Sequence, residues 1–258
     1  MTLPPKKRSA LLAFLLAPFL CVSCAGTGAG SEMSVKNRKN LASSYARGGD
    51  FIGAVREMEA AEKQAAGDPE IHFIKGIAYF GLKDPEAAES SYKKALKIDG
   101  KYTKARYNLC GLYIAGNKPD AAIRECSVVS QDITYPLRYA AFVNIARAYD
   151  MKNDTKSAEK FLKKSLKIEP SNIYSKNEYG KLLSKLSKHT EAAAQFRAAL
   201  RLAPGYNEAR LNLAASLIKS GDTKSACAEL GEMADRKPSE AERGETKNLT
   251  QKYCGNSG

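Results

Sequence analysis

Large and small apolar residues return along this chain at a nearly constant interval. Counted from Val35, Pro69, Thr103, Tyr139, Ile173 and Asn207, successive units begin 34, 34, 36, 34 and 34 residues apart, so only the third carries an insertion. The eleventh place of each unit holds a large apolar residue: Tyr45, Tyr79, Tyr113, Tyr149, Leu183 and Leu217. The twentieth holds alanine every time, at 54, 88, 122, 158, 192 and 226. Such a column is expected where two helices cross closely and leave no room for a longer side chain. The twenty-fourth place is mostly bulky (Met58, Tyr92, Leu162, Phe196, Leu230), and the twenty-seventh mostly small (Ala61, Ala95, Ser165, Ala199).

The polar positions punctuate the same frame. Gly49, Lys83, Asn117, Asn153, Ser187 and Gly221 fall midway through each unit, and four of these six are residues that tolerate the left-handed backbone closing a helix. Asp50, Asp84, Asp154 and Asp222 follow directly and are placed to cap a second helix. Pro170, Pro204 and Pro238 occupy the thirty-second place, where proline stops that helix. Each unit therefore predicts a helix-turn-helix hairpin, and the chain an all-α fold.

Period, alanine column, aromatic column and terminal proline together resemble the tetratricopeptide repeat over residues 35–238. The resemblance implies a right-handed superhelical solenoid of six hairpins, at about 35–68, 69–102, 103–138, 139–172, 173–206 and 207–240. Residues 241–258 are read as a capping helix and tail. Three features depart from the family pattern: Lys75 stands at a usually apolar place, Cys110 replaces a small glycine, and no tryptophan fills the fourth place.

In tetratricopeptide arrays the concave face is lined by places two, five, nine, twelve and thirteen, which share one face of the first helix. Carried onto this chain, the apolar members cluster in units two to four: Phe73, Ile77, Phe80, Tyr107, Ile114, Val143 and Met151. A contiguous exposed patch of this kind marks a partner site. The competing reading makes these side chains core residues, or places them under the N-terminal segment.

The N-terminus changes the picture by adding an address. Lys6, Lys7 and Arg8 precede an uncharged run from Ala10 to Leu20, which fits an export signal and falls short of the roughly 20 apolar residues of a membrane span. Cys21 and Cys24 then stand at C-x-x-C spacing. A metal knuckle wants a second ligand pair nearby, and the next cysteine is Cys110. A redox pair should follow a strand in a βαβ unit. Val22-Ser23-Cys24 instead resembles a lipoprotein signal, with Cys24 lipidated and residues 1–23 removed. The place usually held by leucine carries Cys21, and ordinary signal cleavage near the same point is the alternative. Residues 24–34 would form a flexible tether. Ala25, rather than Asp, implies the outer membrane under the lipoprotein sorting rule of many diderm bacteria.

Four cysteines remain after such processing. Cys110 and Cys126 sit symmetrically about the turn of the third hairpin, and Cys227 and Cys254 symmetrically about the next turn after the sixth. Two disulfides are expected in an oxidising compartment, with four buried free thiols as the alternative. The net charge of +13 falls to about +10 without the signal, which fits a basic surface or an anionic partner; an exported protein rarely meets nucleic acid, and none is expected as a partner.

Candidate chemistry is sparse. His72 and His189 lack the context of a triad or metal site, and no phosphate loop, H-E-x-x-H or G-x-S-x-G occurs. No enzyme activity, cofactor or metal is expected. An exported lipoprotein built of six such repeats resembles the type IV pilus pilotins. That resemblance implies a lipid-anchored, periplasm-facing scaffold that binds the outer-membrane secretin and assists its insertion and multimerisation. The alternative is a periplasmic adaptor for peptidoglycan hydrolases or proteases.

Overall fold

The computed structural model describes residues 33–255 apart from 235 and 237; the signal and the lipidation candidate Cys24 lie outside the described residues. Met33 falls in a separate N-terminal unit, and residues 34–258 form the unit considered below. Among the described residues all regular structure is helical, in six hairpins and one further helix. The hairpins pair α1 (Val35–Gly48) with α2 (Phe51–Gln64), α3 (Pro69–Gly81) with α4 (Pro85–Ile98), and α5 (Thr103–Ala115) with α6 (Pro119–Gln131). They continue with α7 (Arg138–Met151) and α8 (Thr155–Ile168), α9 (Ile173–Lys185) and α10 (His189–Leu202), and α11 (Asn207–Lys219) and α12 (Thr223–Ala234), before α13 (Glu240–Tyr253). Each first helix also packs on the first helix of the next hairpin, so the array is a superhelical solenoid.

The local chemistry explains the hairpins. All six turn residues adopt positive φ, from 54° at Asn117 to 88° at Gly221. Asp50, Asp84, Asp154 and Asp222 each accept a hydrogen bond from the backbone N–H three residues on, at 2.8 to 3.1 Å. Hairpins three and five carry Lys118 and Lys188 there and lack the side-chain cap.

The alanine column is buried throughout. Across each hairpin, places eight and twenty-four meet. Gly76 leaves room for the Tyr92 ring and Gly180 for the Phe196 ring; a Cβ on either glycine would overlap that ring. In the third hairpin the same two places hold Cys110 and Cys126, joined as a disulfide with Cα atoms 5.5 Å apart. The bond thus occupies the space that a glycine and an aromatic ring fill elsewhere. Lys75, the charged departure from the apolar pattern, is neutralised by Glu62 at 2.9 Å.

Helix α13 covers the last hairpin sparingly. A capping box at Ser239 and Glu242 starts it, and Cys254 is bonded to Cys227. Only Leu249 and Cys254 reach the cluster of Leu211, Ala214, Leu230 and Met233. A cleft of about 1060 Å³ remains between α12 and α13.

Candidate functional site

The first helices line the concave face, and their side chains divide it in two. In hairpins two and three, α3 and α5 bring Ile77, Phe80 and Leu112 together. These three residues belong to two adjoining concavities, one of about 260 Å³ that also takes in Tyr107, Asn108 and Asn144, and one of about 670 Å³ that takes in Phe51, Pro85 and Ala115. Phe80 remains 50% exposed between them. Gly81 makes the second concavity possible, because a Cβ there would overlap the Phe51 ring.

The seven residues expected to line the groove separate accordingly. Ile77, Phe80 and Tyr107 share the smaller concavity. Phe73 turns inward, its ring 5.5 Å from Tyr102 and 6.3 Å from Tyr92. Ile114 is half-buried against the core of hairpins two to four. Met151 ends α7, half-buried and outside these concavities. Val143 is a correction: it is only 5% exposed, packed with Ala146, Ala158, Leu162 and Leu182. It therefore joins the core between hairpins four and five, and also lines a separate concavity of about 260 Å³ with Tyr107, Arg147 and Tyr174. Sequence reasoning missed Phe51, Pro85 and Leu112, which lie outside the five concave places; the close approach at Gly81 was the available signal.

In hairpins four and five the concave face is largely polar and its polar side chains are paired with one another, with the Tyr174 ring 58% exposed beside them. Glu178 accepts from Arg147 at 2.8 Å and from Lys181 at 3.0 Å. Burial alone would raise its carboxyl, but these two cations outweigh that and hold it below the usual range. Asn177, fully buried, donates to Tyr206 and Glu208 and accepts from Asn212. Ser184 meets Ser216 at 2.7 Å, and Lys185 meets Asp150 at 2.7 Å.

At the concave face of the first hairpin, Lys39 is already neutralised by Asp68 at 2.8 Å and Glu70 at 2.6 Å. Among the described residues no cluster of three or more metal-ligating side chains occurs, and no helix is long and apolar enough to cross a membrane. His72 is buried, its Nε2 3.8 Å from Glu62, and His189 opens α10.

This geometry matches known proteins in the same terms. Family models described as tetratricopeptide repeat cover residues 39–103, 79–134, 139–172 and 183–244. Among solved structures, PilW, a widely conserved type IV pilus biogenesis factor, superposes with a TM-score of 0.75 at 21% identity, over 83% of this chain and 97% of that one. Pseudomonas aeruginosa PilF gives 0.71 at 18% identity, over 83% and 96%. At these identities the likeness is one of fold. The inactive peptidyl-prolyl cis-trans isomerase shutdown of Bombyx mori is 28% identical over 120 residues, 46% of this chain and 26% of that protein, so the chain spans about a quarter of that relative. Repeat after repeat, the helix pairs, their alanine crossings and these matches agree: the chain belongs to the tetratricopeptide-repeat proteins and is a scaffold for protein–protein interaction.

Proposed function

We propose that this scaffold is a lipid-anchored envelope protein that grips an amphipathic segment of a partner against Phe80, and that the partner is the outer-membrane secretin of a type IV pilus. On this reading Cys24 carries the lipid, and the solenoid faces the periplasm from the outer membrane. The observation that carries the reading is the half-exposed Phe80 ring between two apolar concavities. An aromatic side chain in such a place is the kind of anchor that dominates interface energy. The fold likeness to PilF and PilW and the lipoprotein-like signal support the choice of partner. A second reading, an adaptor for peptidoglycan hydrolases or proteases, draws on the polar half of the concave face instead.

Phe80→Asp tests the choice. It should weaken partner capture by about 2 kcal/mol or more, roughly thirtyfold, and abolish secretin multimers on denaturing gels while circular dichroism and melting stay unchanged. Phe73 is unsuited to this test because its ring supports Tyr92 and Tyr102. Normal secretin multimers in the Phe80→Asp strain would turn the assignment toward the adaptor reading. Intact mass of the membrane-extracted protein, showing an acylated N-terminal Cys24, tests the anchor.

A further inference from the structure

The second helices of the hairpins carry a surface that the concave site does not use. In α8, the five lysines at 156, 160, 163, 164 and 167 recur at intervals of four, three, one and three, and all are exposed. They therefore form one stripe along a single helix face. The same stripe is basic in α4, at Lys93, Lys94 and Lys97, and in α10, at Arg197 and Arg201. Because equivalent places of successive hairpins line up in a solenoid, these residues form a row across the outer side, with α6 between α4 and α8. Large apolar side chains stand exposed in that row: Ile98, Val128, Ile168 and Leu202, with Ile133 in the insertion of the third unit 79% exposed.

Three of the cations are spoken for: Lys93 by Glu89 at 2.6 Å, Lys163 by Glu159 at 2.7 Å, and Lys164 by the Phe161 ring, 5.1 Å from its centroid. Lys97, Lys160, Lys167 and Arg201 have no ion pair among the described residues. Like charges packed at i, i+3 and i, i+4 repel, so a stripe of this kind is costly without a counter-charge. Cations alone suit any polyanion, and nucleic-acid phosphates would leave the five exposed aliphatic side chains in water. A bilayer of anionic lipid satisfies both sets at once, phosphates meeting the ammonium groups and the aliphatic tips entering the headgroup–acyl boundary.

We propose that the outer row of α4, α6, α8 and α10 is a docking face for anionic phospholipid headgroups. It would lay the solenoid on the membrane by its second helices and leave the first helices, with Phe80, open to a partner. The assignment is independent of the partner in the concave face and of acylation at Cys24.

The test is cosedimentation of the full chain with vesicles of phosphatidylglycerol in phosphatidylcholine, against phosphatidylcholine alone. Wild type and variants share one N-terminus, so any contribution from it cancels. Wild type should bind the anionic vesicles more tightly and be released by salt. The variant K97Q/K160Q/K167Q/R201Q should bind them roughly a thousandfold more weakly, and I133S/I168S about fivefold more weakly, both with unaltered helical circular dichroism. The proposal is overturned if the four-residue variant, folded by that criterion, sediments like wild type. Tighter binding of duplex DNA than of the anionic vesicles at the same salt would overturn it as well.

Discussion

The two halves of the concave face are made from the same hairpin, yet they offer a partner opposite things. In hairpins two and three the side chains lining the larger concavity are mainly apolar, and Phe80 has no protein neighbour to complete its burial. In hairpins four and five the corresponding places carry Arg147, Asp150, Asn177, Lys181, Ser184 and Lys185, each already bonded to a side chain of an adjoining helix or turn. A ligand docking on the polar half must break hydrogen bonds to form its own, a nearly even exchange. One docking on the apolar half removes hydrocarbon from water and loses nothing. The repeat supplies the platform, and the degree to which its side chains satisfy one another selects the half that binds.

Removing what holds each half together should show different dependences. The largest loss is expected in the apolar half, from replacing both Cys110 and Cys126 by serine. Closing a loop of this length contributes about 3 kcal/mol in the chain-entropy account, and two hydroxyls would be left in a fully buried site. Chemical denaturation should show that loss, and a reductant should reproduce most of it in a Cys227→Ser/Cys254→Ser background, where Cys110–Cys126 is the bond left to reduce. In the polar half the sensitive residue is Asn177. Its replacement by alanine strands the Asn212 amide and removes a donor from Tyr206 and Glu208, at about 2 kcal/mol. Phe80→Ala should cost well under that, since half the ring is already in water. If Phe80→Ala destabilises as much as Asn177→Ala, the ring is part of the core and the contrast between the halves fails.

Much of this was legible in the amino-acid sequence, for a physical reason. Features confined to one hairpin, such as the turn residues, the aspartate caps and the meeting of places eight and twenty-four, depend only on spacing within a unit, so Cys110 and Cys126 fall opposite each other as readily as Gly76 and Tyr92. What the spacing hides are contacts between hairpins. Val143 occupies a concave place by count, but Leu182 of the next hairpin joins it in one buried cluster. Lys39 looks free in its own unit and is neutralised by Asp68 and Glu70 of the next loop and helix. Asp150 and Lys185 both appear as solvent-facing charges until stacking brings them to 2.7 Å. The capping helix is legible as a helix, while its thin contact through Leu249 is not, because burial there depends on how far α13 stands from α12.

The smallest expected effect separates the halves by acid. Glu89 of the second hairpin and Glu159 of the fourth occupy the same place, and each accepts from a lysine four residues on and from a tyrosine of the next hairpin. Glu89 gains a third donor, Lys118, at 3.3 Å. Hydrogen bonding by Lys93, and further by Tyr113 and Lys118, outweighs desolvation and lowers its carboxyl from 4.5 to about 2. Lys163 and Tyr179 lower Glu159 as well. A carboxyl whose pKa is depressed in the folded state stabilises fully above its unfolded value, and that contribution is lost as the pH falls toward the folded one. For Glu89 the window runs from about 4.5 down to about 2. Glu89→Gln removes the window, so its melting temperature should lie below that of wild type at neutral pH and converge with it toward pH 2. Glu159→Gln should show the same convergence with a smaller gap. Equal gaps for the two variants would mean that Lys118 adds nothing, and that the joint between hairpins two and three is held no more firmly by charge than the joint between four and five.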